Sequence, residues 1–430
     1  MWKASHEDSL FLKKITEKLI KASTVKPDQR IKAGENTTGF SLLLPGCSTE
    51  DYSSYPAFWV RDPAWIAESG LIPAEEIWGW ILLIGKTMST DKPRNLASGG
   101  VILPYSLADH VNMDGSPVYY PGTYASDETQ GPPWGKYPPH CDQYWLVFTA
   151  YIYAQIVGNW QSFGYRVSTP LGKLPLWEVC ELTHNAFPVN PETQLCIAHE
   201  DIEEHIVDWG YNDSVVKTGK LLFPSLLRLE SALKLSELFE KFGDMDRVMK
   251  YKRQAATIRK AIVPTFYEEK QGGEGWLISA TGIGRKPDVW GTAFAIQRGF
   301  VDDNIAKKLG QSLLRGFRER TTVVEGQVRH IPEPDFWEIS QTNKGFYQNG
   351  AYWGYPTGWY IYALTLIDES AGRDMFSEFI TYLRTTYRED LKSCFWECIN
   401  PKLGHYKDAG YLTTVALPYV SLLAKGMLQE

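Results

Sequence analysis

The chain of 430 residues is 43% hydrophobic and 22% charged, with a formal net charge of −7. This is the balance of a soluble globular protein with a sizeable core. No block of Lys and Arg suits nucleic acid or an anionic membrane as partner, and no apolar run approaches the roughly 18 residues of a membrane span.

The opening segment, MWKASHEDSLFLKKITEKLIK, carries charge throughout and has no apolar signal core. It reads as cytoplasmic, or as secreted or periplasmic if a leader has been removed, and its apolar spacing predicts a helix over 9–23. Next comes YPAFWVRDPAW, where Arg61 and Asp62 lie between Trp59 and Trp65. Such a pair can hold sugar hydroxyls by charge-assisted hydrogen bonds, or form a salt bridge that fixes the loop. A helix is predicted over 73–89 and a short strand within 99–106. In GKYPPHCDQYW, His140, Asp142 and Gln143 open a helix over 143–158. Asp142 and Gln143 could bind hydroxyls, whereas a lone His is more often structural. A weaker helical pattern covers 176–187.

In EEHIVDWGYNDSVVKTGK, Asp208 and Asp213 flank Trp209, Gly210, Tyr211 and Asn212. An acid beside Trp and Tyr is partly desolvated, which raises a carboxyl pKa. The competing reading is that Asp213 and Ser214 cap a helix. Leu and Phe at spacings of three and four predict a strong amphipathic helix over 221–244, ending at Gly243. A short turn joins it to an antiparallel partner over 245–267 that stops near Pro264. A short strand is expected at 278–282, then a helix pair over 288–300 and 304–317.

The stretch FWEISQTNKGFYQNGAYWGYPTGWY holds Glu338, Gln348, Asn349, Tyr352 and Trp353, all with sugar-binding chemistry. Glu338 is a reserve catalytic acid or base; alternatively, the stretch is an ordinary loop leading into a helix. Helices are predicted over 358–370 and 374–390. SCFWECINPKLGHYKDAGY then places Glu397 between Trp396 and Cys398, before a final helix over 410–428. A lone Glu in so apolar a stretch is paired or functional, or else a structural Glu bonded to backbone amides.

The aromatic content, 16 Trp, 24 Tyr and 18 Phe, is concentrated in Gly- and Pro-rich loops as well as in helices. Such loops usually line binding surfaces, and sugars present flat C–H faces to aromatic rings. About ten to twelve helices in pairs, with no sharp period, fit an (α/α)6 toroid better than a helical-repeat solenoid. No low-complexity linker divides the chain, so 1–430 reads as one domain. The six cysteines form no CxxC pair and read as buried free thiols. P-loop, GxGxxG, HExxH and GxSxG motifs are absent.

Taken together and in order, these motifs resemble the six-hairpin glycoside hydrolases of families 63 and 37, the processing α-glucosidase and trehalase group. WGYNDSV is similar to the loop that holds their general acid, which implies that role for Asp213; the register leaves Asp208 as the alternative. FWECINPKLGHYKDAGYLTTVALPY is similar to their C-terminal base segment, which implies Glu397 as base, with Glu338 as the alternative. YQNGAYWGYPTGW resembles their Tyr-Trp loop. FWVRDPAW looks like the Trp-x-Arg-Asp element of glucoamylases, implying that Arg61 and Asp62 contact the sugar at the cleavage site. The trehalase signatures are not reproduced. The resemblance implies an inverting mechanism on an α-linked glucoside or related oligosaccharide, with carboxyl groups about 6.5–9.5 Å apart. Trp59, Trp134, Trp209, Trp353 and Trp396 would shape the pocket. No metal or organic cofactor is required. The rival readings are a sugar epimerase or polysaccharide lyase on the same toroid, and a non-catalytic glycan-binding protein.

Overall fold

The computed structural model describes residues 1–121, 124–125, 136–199, 213–270 and 273–429. Twelve α-helices fall within them: α1 (His6–Ser23), α2 (Arg61–Ile66), α3 (Ala74–Lys86), α4 (Trp145–Val157), α5 (Leu176–His184), α6 (Leu222–Phe242), α7 (Met245–Phe266), α8 (Val289–Arg298), α9 (Asp303–Arg318), α10 (Thr357–Ile367), α11 (Glu369–Thr386) and α12 (Leu412–Leu423).

The even-numbered helices form the inner wall. Each packs on the next, α2 on α4, α4 on α6, α6 on α8, α8 on α10 and α10 on α12, and α12 returns to α2, so the ring is closed. Outside it, α3 packs on α4, α7 on α6, α9 on α8 and α10, α11 on α10, and α1 on α12. Burial explains which helices lie inside. On α12 every residue from Leu412 to Leu422 is buried, whereas α9 buries one stripe that includes Leu309, Leu313, Leu314 and Phe317. A helix apolar on all sides needs neighbours all round; one with a single stripe needs them on one side. Local chemistry sets the ends: α6 stops at Gly243 in the left-handed conformation (φ 99°), and the Asp244, Asp302 and Asp368 side chains accept from the first-turn amides of α7, α9 and α11. At Gly358 of α10, a Cβ would come within 2.6 Å of Ser421 on α12, so glycine permits that close crossing.

The axis of the ring is filled by aromatic rings from five inner helices. Trp65 of α2 meets Trp145 of α4 at 5.2 Å, Phe294 of α8 at 5.7 Å and Trp359 of α10 at 5.7 Å, and Phe223 of α6 stacks on Phe294 at 5.2 Å. Next to this plug lies an ionic knot. Arg298 reaches Glu68 at 3.3 Å and Glu230 at 3.4 Å, and Lys234 reaches both at 3.5 Å. The Arg298 guanidinium also lies 5.6 Å from the Trp65 ring. Buried charges of either sign are costly alone, and here they are paired.

Short strands carry the loops over one mouth of the ring. An antiparallel sheet runs in sequence order through Val323–Val324, Gln327–Arg329, Tyr352–Trp353, Cys398–Asn400 and His405–Lys407. A second sheet pairs Ala57–Trp59 with His110–Asn112, setting Trp59 across from His110. Most predicted helices are present, and the weak one over 176–187 forms α5. The strand expected within 99–106 is the pair Val101–Ile102. At 278–282 only isolated bridges form, and the strand lies earlier, at Glu274–Leu277. All six cysteines are buried and none is in a disulfide.

Candidate active site

Two adjoining hollows open where the inner helices meet the strand loops. The inner one is lined by Arg61, Asp62, Trp65, Asp213, Trp290, Tyr347, Gln348, Trp353, Tyr355, Glu397, Tyr411 and Thr413. The outer one is lined by Trp59, Tyr124, Phe346 and His405 among others. Asp213 and Tyr347 belong to both, so they stand at the throat between them. Trp65 of the aromatic plug lines the inner hollow.

Arg61 and Asp62 begin α2 at the end of the strand Ala57–Trp59. Arg61 Nη2 lies 3.7 Å from Asp213 Oδ2. Burial raises the Asp213 carboxyl above its ordinary range; Arg61 opposes this and Asp109 adds to it. Asp213 Oδ1 has no hydrogen-bond partner among the described residues. Gln348 fixes the neighbouring backbone, its Oε1 accepting from the Ser214 amide at 2.9 Å and the Ser214 hydroxyl at 2.8 Å. Asp213 does not cap a helix, because α6 begins nine residues later with Leu221 before it. Asp62 is pushed up to about 7 by burial, with Arg61 opposing and Glu397 contributing.

Glu397 precedes the hairpin Cys398–Asn400 and His405–Lys407, and its amide donates to the Lys407 and Asp408 carbonyls at 2.9 and 3.0 Å. Its carboxylate is bound by side chains, not by backbone amides. Tyr55 OH donates to Oε2 at 2.7 Å and Lys407 Nζ at 2.5 Å. Burial raises the Glu397 carboxyl, while Lys407 and Tyr55 pull it down. Tyr55, Tyr347, Phe395 and Asp408 all hold positive φ, between 43° and 53°. Such strain in non-glycine residues persists only where the surroundings over-determine it, as functional sites do. Tyr347 feels the charge of both Asp213 and Glu397.

Two aromatic platforms share one construction. Trp59 of the outer hollow stacks on His110 at 4.4 Å, and His110 Nδ1 is 2.7 Å from Asp109. Trp290 of the inner hollow stacks on His330 at 4.3 Å, and His330 Nε2 is 3.0 Å from Asp288.

Of the predicted site residues, Arg61, Asp62, Asp213, Gln348, Trp353 and Glu397 line the inner hollow, and Trp59 the outer. Asp208 and Trp209, together with Trp134, lie outside the described residues. The structure places the others outside the lining of both hollows. Glu338 is exposed and accepts from the Gly284 amide at 3.1 Å. Asn349 is consumed within its loop, Oδ1 accepting from the Trp337 amide and Nδ2 donating to the Thr342 carbonyl. Tyr352 is buried in the sheet, its hydroxyl on Glu333 at 2.6 Å. Trp396 packs on Tyr406 and lines neither hollow. Asp142 and Gln143 are buried in the turn that leads into α4, outside the lining of both hollows; burial and then Asp109 hold Asp142 well above the carboxylate range. His140 is structural, its Nε2 2.6 Å from the Ile197 carbonyl.

Sequence reasoning missed Trp290, Tyr347, Tyr355, Tyr411 and Thr413 of the lining, and Tyr55 and Lys407 beside Glu397. Tyr55, Tyr347 and Lys407 all sit inside the aromatic segments already singled out, so proximity to a candidate acid was the available signal. Trp290 lies on a helix buried nearly throughout and gave none.

The architecture matches solved structures along its whole length. The glucoamylase from Saccharomycopsis fibuligera aligns with a TM-score of 0.56 at 13% identity, covering 99% of this chain and 97% of that one. What the chain shares with such structures is the fold, an (α/α)6 toroid. A family 63 mannosylglycerate hydrolase from Thermus thermophilus, solved with glucose, gives 0.56 at 12% identity over 95% of this chain and 99% of that one. A family 78 rhamnosidase of Bacillus sp. GL1 gives 0.56 at 13%, covering 99% of this chain but 35% of that longer one. The sequence itself matches no protein-family model and no curated protein.

Proposed function

We propose that this six-hairpin protein is an inverting glycoside hydrolase acting on an α-linked glucoside or related oligosaccharide. The observation that carries the reading is that Asp213 and Glu397 line one aromatic-walled hollow. Asp213 alone of the two also reaches the outer hollow. A terminal sugar fills the inner hollow, its hydroxyls held by Arg61 and Asp62, and the leaving group lies outside the throat.

Asp213, protonated, gives its proton to the glycosidic oxygen as the bond from that oxygen to the anomeric carbon breaks. A water on the opposite face forms the new bond to that carbon and loses its proton to Glu397. Asp213 ends ionised and Glu397 protonated, and solvent restores both. The dry walls strengthen the electrostatics that stabilise the oxocarbenium-like transition state. The activities of the neighbouring folds, a glucoamylase, a rhamnosidase and a mannosylglycerate hydrolase, support hydrolysis over epimerisation or elimination.

The test is a panel of aryl glycosides and disaccharides, with proton NMR of the first-formed anomer. Release of a sugar with inverted configuration, lost in Asp213→Asn and Glu397→Gln, is expected. An epimer, an unsaturated product, or glycan binding without turnover in the wild type overturns the reading.

A further inference from the structure

The Lys407 ammonium has three protons, and the structure assigns a fixed acceptor to each. It reaches Glu397 Oε2 at 2.5 Å, Asp408 Oδ2 at 2.6 Å and the Tyr55 hydroxyl oxygen. Its charge also lies 4.7 Å from the centres of both the Tyr55 and the Tyr347 rings. An ammonium has no further donor, so Lys407 has nothing left with which to hold a substrate hydroxyl. Tyr55 closes the arrangement, taking a hydrogen bond from Lys407 and giving one to the same Glu397 oxygen.

The backbone sets up this contact. Lys407 stands across from Cys398 in the hairpin register, and the Glu397 amide donates to the Lys407 carbonyl. Two of the residues that grip Lys407, Tyr55 and Asp408, hold positive φ, as does Tyr347 beneath it. Both side-chain bonds to Glu397 fall on Oε2. Among the described residues none reaches Oε1, which is the oxygen left to take a proton from water.

We propose that Lys407 is a positioning residue, which keeps Glu397 ionised and fixes Oε2 so that Oε1 acts as the base. The inference rests on the hydrolase reading for the word base, but the pairing is measurable without turnover. Other groups facing Glu397 are Tyr55 and Asp62 from the α2 side, Tyr124, Tyr347, Cys398, Tyr411 and Asp408. Those facing Lys407 are Asp408, His405, Cys398, Tyr124 and Asp213. Lys407 is the one cation in direct contact with Glu397 among the described residues. Of the carboxylates, Asp408 competes with Glu397 most directly for its charge.

The experiment compares wild type, Lys407→Met, Lys407→Arg and Asp408→Asn, each as the full chain. Infrared difference titration against Glu397→Gln reads the Glu397 carboxyl directly, and thermal melts report folding. Lys407→Met is expected to move the Glu397 midpoint up by about 1–3 pH units, the usual effect of losing an adjacent opposite charge. Lys407→Arg restores most of the shift. Asp408→Asn moves the midpoint down, and Asn tolerates the positive φ there. On any aryl glycoside that is cleaved, the acidic limb of kcat follows the same order while KM changes little. An unmoved midpoint in a folded Lys407→Met protein overturns the proposal. If that variant does not fold, an unmoved midpoint in Asp408→Asn overturns it. Shifted midpoints in a chain that cleaves no glycoside uphold the pairing and count against the hydrolase reading instead.

Discussion

Replacing Asp213 by Asn keeps the shape of the side chain and its place beside Arg61, 3.7 Å away, but removes the transferable proton. General acid catalysis contributes roughly 10²–10⁴ in rate, which at 1.36 kcal/mol per decade is about 2.7–5.4 kcal/mol of barrier. The loss depends on the leaving group. A sugar or plain phenol leaving group needs the proton and should show the full loss in kcat/KM; fluoride or dinitrophenolate departs without it and should show far less. Stability moves the other way. Burial raises the Asp213 carboxyl in the folded state, so the unfolded chain gives up its proton first as pH rises. Ionisation therefore costs stability above the ordinary carboxylate range, and no cost arises below it, where both states are protonated. Asp213→Asn should melt higher than wild type at neutral pH, with the gain vanishing in acid. Steady-state kinetics on a graded series of aryl glycosides and melts at two pH values make the measurement. An equal loss across all leaving groups, or a lower melting temperature at neutral pH, refutes the assignment.

Glu338→Ala should leave kcat unchanged within about twofold, as expected of an exposed side chain; a large loss would reinstate it at the site. His330→Ala withdraws the ring stacked on Trp290 at 4.3 Å and should raise KM by about 2- to 12-fold, the equivalent of one aromatic pair, with kcat less affected. Arg298→Met leaves Glu68 and Glu230 facing each other with Lys234 alone and should cost about 3–5 kcal/mol in urea denaturation. Adding Glu68→Gln should recover part of that loss.

The helices were legible because burial leaves a period in the sequence. α7 and α9 show it plainly, and their caps, Asp244 and Asp302, stand where the pattern breaks; α6, expected to be amphipathic, is instead buried on every side from Leu222 to Ala232, as an inner-wall helix must be. The mouth sheet was not legible, since strands of two or three residues are too short to alternate. The site shows the same limit. Phe-Trp-Glu occurs twice, at 336–338 and 395–397. In one copy the Glu is exposed and bonded to a backbone amide; in the other it is buried against Lys407 and Tyr55. Nothing within the tripeptide separates them. The difference comes from register: the second copy leads into a hairpin whose return strand brings Lys407 alongside.

The ring meets itself where α12 packs on α2 and α1. Further stitches across that seam run from Ala4 to Met427 and from Cys47 to Gly410. Arg61 belongs to the early side and Glu397 to the late side. Residues some 340 positions apart, such as Tyr55 and Glu397, can meet only once the circle is shut. Pairings of such sequence distance form slowly. The hollow that holds Asp213 and Glu397 is thus the keystone of assembly, and a nascent chain holding most of the arch has as yet brought neither side of it together.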